Sequence, residues 1–215
     1  MNPPSTGVMV ALCAGTALVS YLLAGLNPSI ILSKAIYHTD IRTCGSGNPG
    51  FTNFKRSFGS KYAWWVFFLD IAKSAVLFTL FGFLFSHFFG DRLLGVALSA
   101  CFAMLGNAFP VWYRFKGGKG FMVCLTASWF LDWRVGLCGT AVMLLLLFTV
   151  KYMSLATMCG MACGAVVLWL LPTKSFLPPL LFSLCVLFMI LRHWKNIGRL
   201  IKGTESKFSL KDKKK

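Results

Sequence analysis

Tyr62-Ala63-Trp64-Trp65-Val66-Phe67-Phe68-Leu69-Asp70-Ile71-Ala72-Lys73-Ser74-Ala75-Val76-Leu77-Phe78-Thr79-Leu80-Phe81-Gly82-Phe83-Leu84-Phe85-Ser86 decides the fold. About 20 apolar residues make a helix that crosses the bilayer core, and only Asp70 and Lys73 are charged in this run. A backbone in lipid must satisfy its own hydrogen bonds, so the run reads as a transmembrane helix. Further apolar segments lie at 8–27, 93–113, 119–131, 135–150, 153–171 and 176–192, seven in all. The segment 119–131 is short for a crossing. Met1 to Gly7 has no Lys or Arg, as a cleaved signal would need, so the first segment reads as a retained span.

The composition agrees. The 215 residues are 57% hydrophobic and 13% charged, against about 25% charged in soluble domains. Mean hydropathy is +0.70. No short alternating pattern suggests a membrane barrel. The expected fold is an all-α polytopic membrane protein with seven transmembrane helices. It divides into a membrane domain over 1–201 and a basic tail over 202–215, expected to be disordered.

The net charge of +16 invites nucleic acid as a partner. The basic residues edge apolar spans, however, so lipid headgroups and an anionic substrate explain them better than nucleic acid does. They also set the orientation. With the N-terminus outside, 18 of the 22 Lys and Arg fall on the cytoplasmic side. Arg92, Arg134 and Lys174 fall outside, Lys73 lies within a span, and the C-terminus is cytoplasmic. Asp70 and Lys73 share a helix face, either as a structural ion pair or as a wall of a polar site. Gly160-Met161-Ala162-Cys163-Gly164 is a small-xxx-small pattern that packs on a neighbouring span or marks a dimer face.

Three polar patches share the cytoplasmic face in this orientation. The first runs from Cys44 to Arg56. Its Gly45, Gly47 and Gly50 allow a turn whose N–H groups point at an anion. Ser46, Asn48, Thr52 and Asn53 can orient a hydroxyl or carbonyl, and Arg56 can clamp a phosphate. The second, Phe115-Lys116-Gly117-Gly118-Lys119-Gly120, adds two lysines. It is not a P-loop, because Gly120 follows Gly118-Lys119 where Ser or Thr is needed. The third carries His193, Asn196 and Arg199, with His193 and Asn196 on one helix face.

Several chemistries are excluded. His38, His87 and His193 lack the Asp five residues on that classical glycerolipid acyltransferases carry. No metal cluster, cofactor fingerprint or Ser–His–Asp signature is present, and six acidic residues leave little carboxylate catalysis. Seven of the eight cysteines lie within apolar runs and read as small core residues. Cys44 adjoins the first patch, but a nucleophilic role is not expected of it. The substrate must therefore arrive activated. A transporter of an anionic phosphate metabolite is the alternative of a different class.

At these residues the chain resembles a known family. Gly45-Ser46-Gly47-Asn48-Pro49-Gly50-Phe51-Thr52-Asn53 with Arg56 matches its first motif. Leu105 to Trp112, through Gly117-Gly118-Lys119-Gly120, matches the second. His193-Trp194-Lys195-Asn196-Ile197-Gly198-Arg199-Leu200 with Gly203 and Glu205 matches the third. The family is the bacterial acyl-phosphate:glycerol-3-phosphate acyltransferases, PlsY. The resemblance implies transfer of an acyl group from acyl phosphate to glycerol 3-phosphate, giving lysophosphatidic acid in phospholipid biosynthesis. It implies no metal or other cofactor, a bacterial inner-membrane location with a cytoplasmic active site, and the acyl-phosphate-producing enzyme as a candidate partner. Ser46, His193 and Asn196 become the catalytic candidates. Gly47, Asn48, Thr52, Arg56, Lys116, Gly118 and Lys119 become the substrate-binding ones, and Glu205 a structural residue. Phe51, Asn107 and Phe121-Met122-Val123 depart from the family's usual residues. Two roles stand open for His193. It takes the proton of the attacking hydroxyl, or it orients a substrate phosphate that takes it, the second being preferred because neighbouring cations lower its proton affinity.

Overall fold

The computed structural model describes residues 5–209. Their helices are α1 (Thr6–Gly25), α2 (Pro28–Tyr37), α3 (Phe51–Phe58), α4 (Ser60–Phe89), α5 (Arg92–Ala108), α6 (Phe121–Leu131), α7 (Trp133–Thr149), α8 (Met153–Leu170), α9 (Leu177–Arg192) and α10 (Trp194–Ile201). No strand occurs among the described residues. Each of the seven apolar segments contains a helix, and α2, α3 and α10 add shorter ones. Thr6–Tyr37, Ser60–Phe89, Arg92–Tyr113 and Met153–Leu170 are long and apolar enough to cross a membrane. Leu177–Arg192 and Trp194–Ile201, bent by 57° at His193, make a fifth crossing if taken together. The apolar α6 and α7 are shorter, at 11 and 17 residues. At 1.5 Å per residue α6 rises only about 16 Å. The chain is a multi-pass helical membrane protein.

Helix starts follow local chemistry. Asn27 caps α2 by accepting from Ile30 N (3.1 Å), and Pro28 occupies the first turn, where its missing N–H costs nothing. Asp91 accepts from Leu94 N (3.0 Å) at the start of α5, and Asp132 from Arg134 N (2.8 Å) at the start of α7.

Two apolar clusters hold the bundle. The larger joins α1, α4, α5, α6, α7, α8 and α9 through Ala24, Phe78, Met104, Val123, Val135, Met161 and Phe182. The smaller packs α2 and α3 on the first turns of α4 through Ile30, Ile41, Phe54, Ala63 and Val66. A short helix of eight residues is marginal alone and forms here because Phe54 is fully buried. The small-residue pattern of α8 is used within the chain: a Cβ on Gly160 would lie 2.6 Å from Gly139 O on α7. Lys73 bridges elements as well. Its ammonium donates to Ala24 O and Leu26 O (both 3.0 Å), at the end of α1, and sits 2.7 Å from Asp70 Oδ1 as an ion pair. The last turn of α1 is thus pinned to α4 beside the polar site.

Candidate functional site

The loop before α3 is built by Asn53. Its Oδ1 accepts from Ser46 N (2.9 Å), and its Nδ2 donates to Cys44 O (3.0 Å). Gly45 has a left-handed φ of +54°, and a Cβ there would stand 2.4 Å from Asn53 Oδ1. Gly47 N donates to Cys44 O (2.9 Å). The Ser46 and Gly47 amides are therefore turned inward, and the expected anion nest of this turn is spent on the loop itself. The Asn53 side chain is likewise occupied in the loop. What the turn does instead is set Gly50 at the start of α3, whose first turn has no side-chain cap. It also presents Ser46, Asn48 and Thr52, with Arg56 one turn further on, along the same wall.

The second patch is also packed backbone to backbone. Gly117 N donates to Ala108 O (3.1 Å) and Gly118 N to Asn107 O (2.9 Å). A Cβ on Gly117 would lie 2.2 Å from Asn107 O, so the close approach requires glycine. Arg192 Nη2 donates to Gly118 O (3.1 Å), which ties the end of α9 to this loop. Arg42 Nη1 donates to Tyr113 O (2.9 Å) and joins the first loop to the second. Asp40 pairs with Arg42 at 2.7 Å, and the guanidinium holds its carboxyl well below the usual carboxylate range.

These loops and α10 enclose one end of a cavity of ≈ 900 Å3. Ser46, Asn48, Thr52, Arg56, Lys119, His193 and Asn196 all line it. Gly47 and Gly118 sit in the loops just behind the wall, and Lys116 is exposed and outside it. Away from the polar end the lining turns apolar: Trp64 and Phe67 of α4, Phe121 and Leu125 of α6, Leu144 and Phe148 of α7. Of the family departures, Phe51 packs on Trp64 and Phe67 with ring centroids 5.1 and 5.6 Å away. Phe121 and Met122 line the apolar part, Val123 lies in the core, and Asn107 lines the polar end.

A hydrogen-bond chain fixes the cationic side. Lys119 Nζ donates to Asn196 Oδ1 (2.5 Å), and Asn196 Nδ2 donates to Glu205 Oε1 (2.7 Å). Ser154 Oγ donates to the same carboxylate oxygen (2.8 Å), and Arg199 Nε donates to Oε2 (2.6 Å). Burial pushes Glu205 up, but the bonds from Asn196, Arg199 and Ser154 outweigh it and hold the group below its ordinary value. Glu205 is thus an engaged carboxylate that orients three donors. Lys119 lies before α6, outside the spans. Burial pushes its pKa down to about 8, against the pull of Glu205 and with help from Arg199, Arg192 and Arg56.

His193 occupies the joint between α9 and α10. Its Nδ1 lies 2.8 Å from Met189 O. A carbonyl can only accept, so Nδ1 carries the proton and Nε2 of the neutral ring is an acceptor. Burial, then the charge of Lys119, pushes the imidazole down to about 4, so it is neutral at pH 7.

Ser154, Thr157, Lys151 and Asp70 also line the cavity. Asp70 was legible as one of two readings of its pair with Lys73, and it serves both: it faces the cavity while Lys73 holds α1. Ser154 and Lys151 carry no motif, and nothing in their neighbourhood would have flagged them. Cys44 does not line the cavity; its Sγ lies 3.8 Å from Asp40 O.

Known proteins share both sequence and structure with this chain. The glycerol-3-phosphate acyltransferase family model matches residues 14–203. The glycerol-3-phosphate acyltransferase of Coxiella burnetii (strain Dugway 5J108-111) is 31% identical over 193 residues, covering 90% of this chain and 96% of its own. That of Mycoplasmopsis pulmonis (strain UAB CTIP) is 33% identical over 212 residues, covering 92% of each. A crystal structure of PlsY (YgiH), an integral membrane glycerol 3-phosphate acyltransferase in its glycerol 3-phosphate form, superposes with a TM-score of 0.83 at 28% identity, covering 92% of this chain and 96% of that one. Its lysophosphatidic acid form gives 0.78 at 27% identity, covering 92% and 95%. With its three polar patches gathered on one cavity, the chain belongs to the PlsY family of glycerol-3-phosphate acyltransferases.

Proposed function

We propose that this acyltransferase takes its acyl group from acyl phosphate and delivers it to glycerol 3-phosphate, releasing lysophosphatidic acid and phosphate. One observation carries the reading: a single cavity joins a cationic end, with Arg56, Lys119 and Arg199, to an apolar flank among the helices. Such a space suits an acyl chain ending in phosphate next to a second, small phosphate ester. The solved relatives in glycerol 3-phosphate and lysophosphatidic acid forms support the acceptor and the product.

The chemistry needs no covalent enzyme intermediate. The acceptor hydroxyl oxygen attacks the acyl carbonyl carbon. The bond from that carbon to the phosphate oxygen breaks, and phosphate leaves. The cationic side chains stabilise the charge that builds on the phosphate, and binding both substrates in one cavity supplies proximity. Ser46, Asn48, Thr52 and Arg56 hold polar groups on one wall; Lys119, oriented by Asn196, faces them from the other.

His193 accepts a hydrogen bond from the attacking hydroxyl through Nε2 and so aims it. This changes the preferred role of the imidazole: a neutral ring with Nδ1–H tied to Met189 O has no donor left for a phosphate. The proton goes to a substrate phosphate, whose second pKa of about 6 makes it a better base than an imidazole titrating at about 4.

The protein lies in this reading with seven spans across the bacterial inner membrane, its N-terminus outside, the membrane domain over 1–201, and the cavity's polar end in the cytoplasm. The test uses purified protein with radiolabelled glycerol 3-phosphate. Label entering lipid with acyl phosphate, and not with acyl-coenzyme A, supports the reaction. Label that only crosses vesicle walls would make the protein a transporter, and incorporation from acyl-coenzyme A alone would overturn the donor.

A further inference from the structure

The chain continues across the cavity beyond the family match, which ends at residue 203. Thr204 N donates to Arg199 O (2.8 Å), and the three donors described above fix Glu205. Phe208 N then donates to Lys151 O (2.7 Å), at the turn between α7 and α8. Lys55 Nζ, from α3 on the other side, donates to Ser209 O (2.7 Å) and lies 5.3 Å from the centroid of the Phe208 ring. Ser206, Phe208 and Ser209 line the cavity, and both serines are exposed to water.

We propose that residues 204–209 are a strap across the water-facing end of the cavity, that it favours glycerol 3-phosphate over water as the acyl acceptor, and that Phe208 and Lys55 hold it closed. The proposal rests on the acyl-phosphate reading. Acyl phosphate reacts with water as it does with an alcohol: the water oxygen attacks the acyl carbon, the carbon–oxygen bond to phosphate breaks, and a fatty acid, phosphate and a proton result. Water and a glycerol hydroxyl are nucleophiles of one kind, so the enzyme discriminates by exclusion. The cationic wall and His193 cannot do this, because they would stabilise either attack.

The anchors are unequal, and this gives the strap a hinge. Glu205 is locked by three side chains from two elements. Beyond it the contacts of the strap include the backbone hydrogen bond from Phe208 N to Lys151 O, the Lys55 latch and a cation–π contact. It can lift after Glu205 to admit the soluble substrate without disturbing Asn196, Arg199 or Lys119. The latch lysine is itself buried, although its neighbour Arg56 is exposed.

The experiment measures, for the full chain in detergent, free fatty acid against lysophosphatidic acid formed from acyl phosphate and glycerol 3-phosphate. In Phe208→Ala and Lys55→Met the hydrolysis-to-transfer ratio should rise on the order of tenfold, the factor that one lost hydrogen bond or cation–π contact corresponds to. Lys55→Arg should keep the ratio low. General damage to the fold lowers both products together and leaves the ratio where it was. An unchanged ratio in both loss-of-latch variants, with wild-type transfer intact, overturns the strap and leaves the proposed function standing. A wild-type protein that transfers nothing from acyl phosphate overturns both.

Discussion

Lys119 should impose an alkaline limit on catalysis. Its ammonium is paired with a neutral amide, Asn196 Oδ1, and burial pulls its pKa from 10.5 to about 8. A phosphate held by this cation in the free enzyme loses it as pH rises through that value. The charged fraction is about nine-tenths at pH 7 and about one-tenth at pH 9, so kcat/KM for glycerol 3-phosphate should fall roughly tenfold over that interval. The glycerol 3-phosphate itself is a dianion throughout the fall, since its second pKa is about 6. Stability moves the other way. Between about 8 and 10.5 the unfolded chain binds the proton that folded Lys119 has lost. This group's contribution to stability therefore rises with pH there, so loss of the Lys119 proton does not itself unfold the protein. The assay is the rate of labelled lysophosphatidic acid formation from pH 6 to 10 at low glycerol 3-phosphate, corrected for spontaneous breakdown of acyl phosphate. Lys119→Arg keeps a charge across the range. It should run below wild type at pH 7, because its planar fork cannot copy the Asn196 contact, and show no limb near 8. A wild-type profile flat to pH 10, or a limb that survives in Lys119→Arg, would refute the assignment.

Two further outcomes are expected. His193→Ala should lower kcat by about 10²-fold, the cost of a misaimed hydroxyl, while His193→Gln, which keeps an acceptor but cannot take a proton at neutral pH, should recover much of the loss; equal losses in both, with an acidic limb abolished, would make the imidazole the base. Asp70→Asn should lower stability in detergent by about 3 kcal/mol at most, because it leaves a partly buried ammonium without its counter-charge; Asp70→Asn with Lys73→Met should be more stable than the single variant, and a single variant as stable as wild type would show that the pair is dispensable.

The architecture was legible because spans leave a simple mark: long runs without charge, bounded by Lys and Arg. The helices that the sequence does not announce are α2 and α3, at 10 and 8 residues. Helices that short have little intrinsic stability and exist through packing, as Phe54 does between Tyr37 and Phe58. In the site, Arg56, Lys119 and Asn196 could be marked as chemistry because cations and amides clustered beside glycine are unusual at a span end. The use of the glycines could not be read. Gly45 and Gly47 suggested an anion nest, yet Gly45 makes room for Asn53, and Gly117 of the second patch makes room for the Asn107 carbonyl. Whether an amide faces a ligand or its own loop depends on contacts across 7 to 11 residues and on a neighbouring turn, which composition does not encode. Ser154 meets Glu205 across 51 positions, a distance over which a single sequence offers no pairing signal.

The charge inventory of the cavity bears on the proposed reaction, which uses no enzymic carboxylate base. Two carboxylates line the cavity among the described residues, Asp70 and Glu205. The first is neutralised by Lys73 and the second by Arg199, with Asn196 and Ser154 taking its remaining lone pairs. Both carboxylates are therefore already engaged by cations of the protein itself. What remains at the polar end is positive charge on Arg56, Lys119 and Lys151, together with a neutral imidazole. Such a site is poorly occupied by neutral groups and suits two phosphates, which in the proposed reaction bring the leaving group and the proton acceptor with them. The protein's part is then to hold two anions close, to aim one hydroxyl, and to keep water away from the acyl carbon.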